Sequence, residues 1–216
     1  MIITKQKTKE YILESLAGYK NIFLIGCGDC ATTTKTGGAH EVKEMSDYLK
    51  KKGFHVTGSV TPDTSCVEVQ LRRALREHAA ALEAADAILM LTCGSGVQAV
   101  VKTLTAKKPV LVACDTLCIG VMDKGGKQFF EFCSACGECI LNETAGMCPI
   151  TRCPKNMVNG PCGGMRKGKC EIDTARDCVW ALIYEACPAG ARREALERIR
   201  APKHWSSAGK PRAHGL

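Results

Sequence analysis

Cysteine is the residue that most constrains this chain, because the 216 residues include fifteen cysteines. Several of these cysteines are separated by only two or three other residues. The odd number excludes complete disulfide pairing within one chain. Residues 1–16 are polar and mixed in charge and lack the apolar core of an export signal, so we expect a cytoplasmic location. Clustered cysteines in a reducing compartment are more typical of metal binding than of a disulfide framework.

The first half of the chain follows the pattern of repeated strand–helix units. The apolar runs predict strands at residues 21–26, 55–60, 87–92 and 109–113, with helices at 40–52, 66–84 and near 97–104. Short apolar strands that alternate with helices are typical of a parallel sheet covered on both faces. We therefore predict an α/β fold with a small open parallel sheet and flanking helices.

A first set of cysteines follows the predicted strands closely: Cys27, Cys30, Cys66 and Cys93. The carboxyl ends of parallel strands lie at one edge of a sheet, so these thiols should converge there and form a metal site. Cys114 and Cys118 are further candidates, or alternatively core residues of the last strand and loop. Cys27 and Cys30 also match the spacing of a thioredoxin-like redox pair.

The composition changes after about residue 115. From 133 to 187 the chain is rich in cysteine and glycine and has little periodicity, apart from a predicted helix at 178–187. Such a segment needs bound metal to offset its small apolar core. We predict three parts: an α/β domain at 1–120, a cysteine-rich, cluster-binding domain with little regular structure at 121–190, and a basic C-terminal tail at 191–216.

A second set consists of Cys133, Cys136 and Cys139, followed by Cys148 and Pro149. Three thiolates at this spacing can wrap one iron–sulfur cubane, and a later Cys-Pro often supplies a fourth ligand. Bacterial ferredoxins have three residues before that Cys-Pro, whereas eight stand here, so the fourth ligand stays open. Zinc sites more often use two Cys-x2–4-Cys pairs. We predict a 4Fe-4S cluster and keep zinc as the alternative.

A third set is more widely spaced: Cys153, Cys162, Cys170 and Cys178. The turn-rich residues 159–164 could direct backbone amides at sulfur, which raises the reduction potential of a cluster. Together the second and third sets supply the eight thiolates of two 4Fe-4S clusters, and the strand-end set would hold a third. The alternative for Cys178 and Cys187 is a buried apolar thiol.

The remaining features point away from other functions. The net charge is +8, and residues 190–216 contain seven Lys/Arg against two Asp/Glu, but no base-reading motif accompanies them. Aromatic residues are 5%, and no apolar run has the roughly 18 residues of a membrane span. We therefore expect neither nucleic acid nor a membrane as a partner. The five histidines are scattered, and we predict no catalytic residues and no site for an organic cofactor in this chain.

The run GMCPITRCPKNMVNGPCGG, with the preceding CSACGEC and the following GKCEI and DCVWALIYE, resembles a known family. This stretch, residues 133–185, is similar to the cysteine-rich C-terminal domain family of methylenetetrahydrofolate reductases. It looks like the iron–sulfur small subunit of the acetogen-type complex. GCGDCATTTKTGG at 26–38, with Cys66 and Cys93, extends the likeness to about residues 20–187. The family often has a further cysteine where this chain has Thr34.

The resemblance implies an electron-transfer role. The chain would relay single electrons between an external donor protein and the flavin of a catalytic subunit, which reduces 5,10-methylenetetrahydrofolate to 5-methyltetrahydrofolate. We expect no activity from the chain alone, because nothing in it resembles a folate or flavin site. Two alternatives stay open: a zinc-binding structural module that scaffolds the reductase, and a free-standing enzyme that uses a cluster or the Cys27/Cys30 dithiol.

Overall fold

A computed structural model describes residues 1–105, 107–187 and 190–209, without the side chains of residues 191 and 192. The chain divides into two compact units, Met1–Cys118 and Ile119–Leu216. The predicted basic tail lies partly outside the described residues, at 210–216.

The first unit contains most of the regular structure. Its elements are β1 (Ile2–Gln6), α1 (Lys9–Ser15), β2 (Asn21–Ile25), α2 (Cys30–Thr33), α3 (Ala39–Lys51), β3 (His55–Val60), α4 (Glu68–Glu77), α5 (Ala79–Glu83), β4 (Ala87–Met90), α6 (Gly94–Thr103) and β5 (Val110–Val112). Strand β6 (Cys114–Met122) begins in this unit and ends in the second. The second unit continues with β7 (Phe129–Cys133), α7 (Pro149–Arg152), α8 (Val179–Ala186), α9 (Ala191–Leu196) and a 3-10 helix at Trp205–Ala208.

The predicted parallel sheet with flanking helices is confirmed. Four strands pair in the order β3-β2-β4-β5, and the three pairings are parallel. Because side chains alternate across a strand, Ile22 and Leu24 of β2 enter one core, which includes Val42 and Leu49 of α3. Phe23 and the residue two positions after it on β2 lie in the opposite core, together with residues of α4 and α6. Each central strand is therefore buried on both faces, which explains its continuous apolar run.

The strand order places a reversal of the chain path between β2 and β4. From β2 the chain moves outward to β3, and it then returns to add β4 and β5 on the other side. In open α/β sheets the loops at the carboxyl ends separate at such a point and leave a crevice where ligands bind. Cys27 follows β2 and Cys93 follows β4, so these cysteines flank the reversal.

The structure differs from the sequence prediction at several elements. The helix predicted at 66–84 is divided at His78 into α4 and α5, and α6 begins at Gly94, three residues earlier than predicted. Strand β1 and helix α1 were not predicted. β1 lies beside the beginning of β6, and the Lys7 N–H donates to Ala113 O at 2.8 Å. That pairing joins residues more than a hundred positions apart, so local patterning could not reveal it.

In the second unit the end of β6 pairs antiparallel with β7. The connecting turn includes the predicted turn residues 124–127. Its first residue, Asp123, accepts hydrogen bonds from the N–H groups of Lys127 and Gln128, which lower the pKa of the Asp123 carboxyl. The core of this unit is small and consists of Val179, Trp180, Ile183, Cys187 and Leu196.

Within the described part of the chain, no helix combines the length and the apolar character needed to cross a bilayer.

Candidate functional site

The strand-end cysteines lie on three separate connections of the first unit. Cys27 follows β2, Cys30 is the first residue of α2, Cys66 lies between β3 and α4, and Cys93 is the N-cap of α6. Burial raises the pKa of the Cys66 thiol, and the nearby thiols of Cys93, Cys27 and Cys30 raise it further because neighbouring thiolates repel. Cys66 is exposed as a residue, but its thiol is partly desolvated. Cys27, Cys30 and Cys93 thus lie within electrostatic range of Cys66.

Close backbone packing positions the loops of this group. A side chain on Gly37 would overlap the backbone carbonyl of Leu91, so the loop after α2 lies directly against the end of β4. The Cys27 N–H donates to Gly37 O at 2.9 Å. The buried Ser65 hydroxyl donates to Gly26 O at 2.6 Å and ties the Cys66 loop to the end of β2.

Cys30 has contacts that sequence reasoning missed. The Ile2 N–H of β1 donates to Cys30 Sγ at 3.4 Å. The hydroxyl of Thr34 donates to Cys30 O at 2.9 Å and lies 2.9 Å from the hydroxyls of Thr4 and Thr36. Thr34, the position where the resembled family often has a cysteine, therefore joins a hydrogen-bonded threonine group here. No local signal in the sequence indicates the Ile2 contact.

Cys114 belongs to the apolar core rather than to an open thiol site. It is 6% exposed, and its S–H lies 3.6 Å from the carbonyl oxygen of Thr36. Burial raises the pKa of the Cys114 thiol to about 12, so it stays protonated at neutral pH. This favours the core alternative for Cys114. Cys118 is half-buried on β6.

In the second unit one pocket collects a whole predicted set. Its cysteines are Cys153, Cys162, Cys170 and Cys178. The cavity they enclose is about 20 Å³. Arg152, Lys155 and Arg176 also line it, together with Glu171 and Asp177, and Lys155 forms an ion pair with Glu171. Sequence reasoning missed these three basic residues, although Arg152 and Lys155 lie next to the Cys153-Pro154 motif.

The pocket thiols are held by short backbone contacts. Cys178 is the N-cap of α8, and its N–H donates to Gly168 O at 2.7 Å. The Cys170 N–H donates to Arg176 O at 3.0 Å. Cys162 is exposed, and the Gly164 N–H, with a smaller effect from Lys155, lowers the pKa of its thiol. This environment favours a thiolate at Cys162.

The remaining set is the most open of the three. Cys133 ends β7, and left-handed residues at Ala135 and Gly137 turn the chain sharply before Cys139. Cys148 is the N-cap of α7, which packs against β7 with Arg152 5.0 Å from the ring centre of Phe132. Cys133 and Cys139 are exposed, whereas Cys136 and Cys148 are half-buried.

No three His, Cys, Asp or Glu side chains within residues 1–105, 107–187 and 190–209 form a group that could hold a single metal ion. A multi-iron cluster makes a different demand, because each thiolate binds its own iron and the sulfurs surround a wider body. Iron–sulfur clusters take thiolate ligands, and the donor sets at the strand ends and in the pocket consist of cysteines.

Comparison with known proteins identifies the C-terminal part of the chain. A family model described as methylene-tetrahydrofolate reductase C terminal matches residues 111–206. No curated protein and no solved structure matches the chain. The matched segment contains the pocket and the open cysteine set. Residues 111–206 therefore form a domain related to the C-terminal domain of methylene-tetrahydrofolate reductase.

Proposed function

We propose that this chain is an iron–sulfur electron-transfer subunit of a methylenetetrahydrofolate reductase complex. It relays electrons between an external donor protein and the flavin of a separate catalytic subunit. The observation that carries the proposal is the convergence of four cysteines on one pocket inside the reductase-related segment. The flavin, the folate site and the catalytic residues then belong to the partner subunit.

The proposal assigns 4Fe-4S clusters to the cysteine groups. One is assigned to the pocket set and one to Cys133, Cys136, Cys139 and Cys148. A third is assigned to the strand-end set. This assignment is supported by the three neighbouring thiols, which raise the pKa of Cys66. When bound, each cluster supplies a carrier for one electron.

The protein's own groups would favour the ionised thiols that bind iron. Cys162 is stabilised as a thiolate by the Gly164 N–H and by Lys155. Cys93 and Cys178 are the N-caps of helices α6 and α8. The Ile2 N–H would donate to the Cys30 sulfur.

The first experiment is metal and sulfide analysis of protein purified without oxygen. The proposal predicts iron and acid-labile sulfide in equal amounts, together with a paramagnetic signal after reduction. Cys136→Ala should lose about four iron atoms per chain because one cluster loses a ligand. Cys187→Ala is the matched control, since Cys187 lies 2% exposed in the apolar core and should keep the full iron content.

The second experiment uses the complex with the flavin-bearing partner. Cys136→Ala should slow reduction of the partner's flavin by the external donor, while the partner retains its flavin. Stoichiometric zinc without iron in wild-type protein would overturn the electron-transfer proposal and favour the zinc-binding structural module. Unchanged iron in Cys136→Ala would overturn the assignment of that cluster.

A further inference from the structure

Residues 198–208, which we call the C-terminal strap, lie against a cysteine-bearing loop of the same unit. The sequence predicted a basic C-terminal tail here. The Lys203 side chain is only 6% exposed, and its Nζ donates to the carbonyl oxygen of Glu138. Glu138 lies between Cys136 and Cys139. A buried ammonium group is costly unless it is paired, so this contact is a specific one.

The Glu138 carboxylate provides a second connection to the strap. Its Oε2 accepts a hydrogen bond from the His204 N–H at 2.9 Å and lies 3.6 Å from Lys203 Nζ. Both the backbone and the side chain of Glu138 are therefore held by consecutive strap residues. Charge-assisted hydrogen bonds of this kind are stronger than neutral ones.

Gly137 shows how closely the strap approaches the loop. A Cβ added to Gly137 would lie 2.5 Å from Ser207 O, and the glycine has a φ of +84°. The strap thus lies directly on the backbone between the two cysteines. Only glycine meets both requirements without a shift of one of the two segments.

A third connection joins the strap to the rest of the cysteine-rich region. Asn159, three residues before Cys162, accepts a hydrogen bond from the Arg200 N–H at 2.9 Å and donates to Arg200 O at 3.4 Å. The Arg200 guanidinium also lies 3.7 Å from Glu143. These contacts, made by Arg200, connect the strap to two further segments of the cysteine-rich region.

We propose that the C-terminal strap positions and covers the Cys136–Cys139 loop, with Lys203 and Glu138 as its positioning residues. The inference rests on the proposed function, because it assigns the strap to the cluster of the most open cysteine set. Fixing Gly137 and Glu138 fixes the direction of the cysteines on either side. The strap supplies the cover that pocket walls provide for the half-buried Cys153, Cys170 and Cys178.

The test compares Glu138→Gln and Lys203→Met with wild type in the full-length chain. In iron-free, reduced protein, both variants should raise the rate of iodoacetamide alkylation at the half-buried Cys136 about five- to ten-fold, as expected for loss of a charged contact. Peptide mass spectrometry resolves each cysteine.

Three controls accompany the test. Cys153 should keep its wild-type alkylation rate in both variants. Lys43→Met breaks the exposed Lys43–Asp47 pair and is the control for loss of an ion pair. Lys203→Arg should restore slow alkylation because it retains the charge and the donors.

The cluster itself gives a second readout. In anaerobically purified protein, Glu138→Gln and Lys203→Met should speed the loss in air of the paramagnetic signal assigned to the Cys136 cluster about five- to ten-fold. That signal is identified as the one absent from Cys136→Ala. The signal of the pocket cluster should decay at the wild-type rate.

A glycine pair tests the close approach without removing charge. Gly137→Ala should expose Cys136, because the methyl group collides with Ser207. Gly168→Ala is the matched control, since Gly168 has a φ of +76° and open space around its Cα. It imposes similar backbone strain but no collision with the strap.

The outcomes separate the two proposals. Wild-type alkylation rates in Glu138→Gln, Lys203→Met and Gly137→Ala would overturn the strap inference, whatever metal the protein contains. Protein without iron would overturn the proposed function, while the alkylation rates of iron-free protein would still decide the role of the strap.

Discussion

The surroundings of each cysteine divide the thiols into two kinds. Cys162 has a neighbouring amide and a lysine that lower the pKa of its thiol, and Cys93 lies at the N-terminus of helix α6. Cys114 and Cys187 instead lie inside apolar cores. A thiolate binds metal and a buried neutral thiol packs as a small apolar side chain. Spacing alone does not distinguish these environments.

Cys114 should make stability depend on pH in the alkaline range. Its pKa is about 12 in the folded chain and near 9.0 when unfolded, so the folded state holds its proton more tightly. The stabilisation is complete below pH 9 and is lost as pH rises toward 12, with a slope of at most about 1.4 kcal/mol per pH unit. Urea unfolding of iron-free protein at pH 8 to 10.5 measures the slope. Cys114→Ala should show a smaller one, and equal slopes would contradict the prediction.

The Ile2 amide should tune the strand-end group. Ile2→Pro removes the N–H that faces Cys30 Sγ, and proline is tolerated at the first residue of a strand. Loss of about 0.5–1 kcal/mol from a hydrogen bond to a bound cluster lowers its one-electron potential by roughly 20–40 mV. Ile2→Ala, which keeps the N–H, is the control, and redox titration followed by paramagnetic resonance is the measurement. Equal potentials in the two variants would exclude this role.

At the scale of elements, the loops after parallel strands are positioned by close backbone packing and by a buried serine hydroxyl. The loop after α2 reaches the end of β4 because Gly37 has no Cβ, and the loop after β3 is tied to β2 through Ser65. The sheet therefore determines the positions of the cysteines on these loops. Disturbing the packing should therefore disturb the whole strand-end group.

Gly37→Ala should destabilise the first unit strongly. The added methyl group would overlap Leu91 O, a backbone atom that cannot move without displacing β4, so we expect a loss of about 3 kcal/mol or more. Gly53→Ala has a φ of +87° but open space, and should cost only about 1 kcal/mol. Urea unfolding followed by circular dichroism compares the variants. Similar losses would show that the close approach to Leu91 relaxes easily.

At the scale of the whole chain, the two units differ in how they are stabilised. The first has extensive apolar cores on both faces of its sheet, whereas the second has a core of five buried residues and many cysteines. A small apolar core supplies little stability without crosslinks or metal. We therefore expect bound metal to stabilise the second unit chiefly.

Removal of iron should accordingly lower the stability of the second unit first. Both tryptophans, Trp180 and Trp205, belong to that unit, so tryptophan fluorescence reports on it alone. After chelation under reducing conditions, the fluorescence transition should move to lower urea concentration. The main transition in circular dichroism, from the helices of the first unit, should move little. Parallel shifts of both signals would contradict this division.

The sequence predicted those features that depend on neighbouring residues. The apolar runs located the four strands of the parallel sheet, and β3 has the predicted limits of 55–60. The run around Cys148 and Cys162 indicated the reductase-related segment, which the family match at 111–206 supports. Local patterning missed β1 and predicted one continuous helix at 66–84, which the structure divides at His78, because non-local packing decided those elements.

The cysteines and their spacing, and the strand-end positions of Cys27 and Cys93, were determined by the sequence itself. Only the tertiary structure decided the reversal between β2 and β4, the Ile2 amide at Cys30 and the strap across Glu138. The physical reason is separation along the chain: Ile2 and Cys30 are 28 positions apart, and Glu138 and His204 are 66 apart. Periodicity describes how a segment meets a core, but only the folded chain determines which distant segments meet each other.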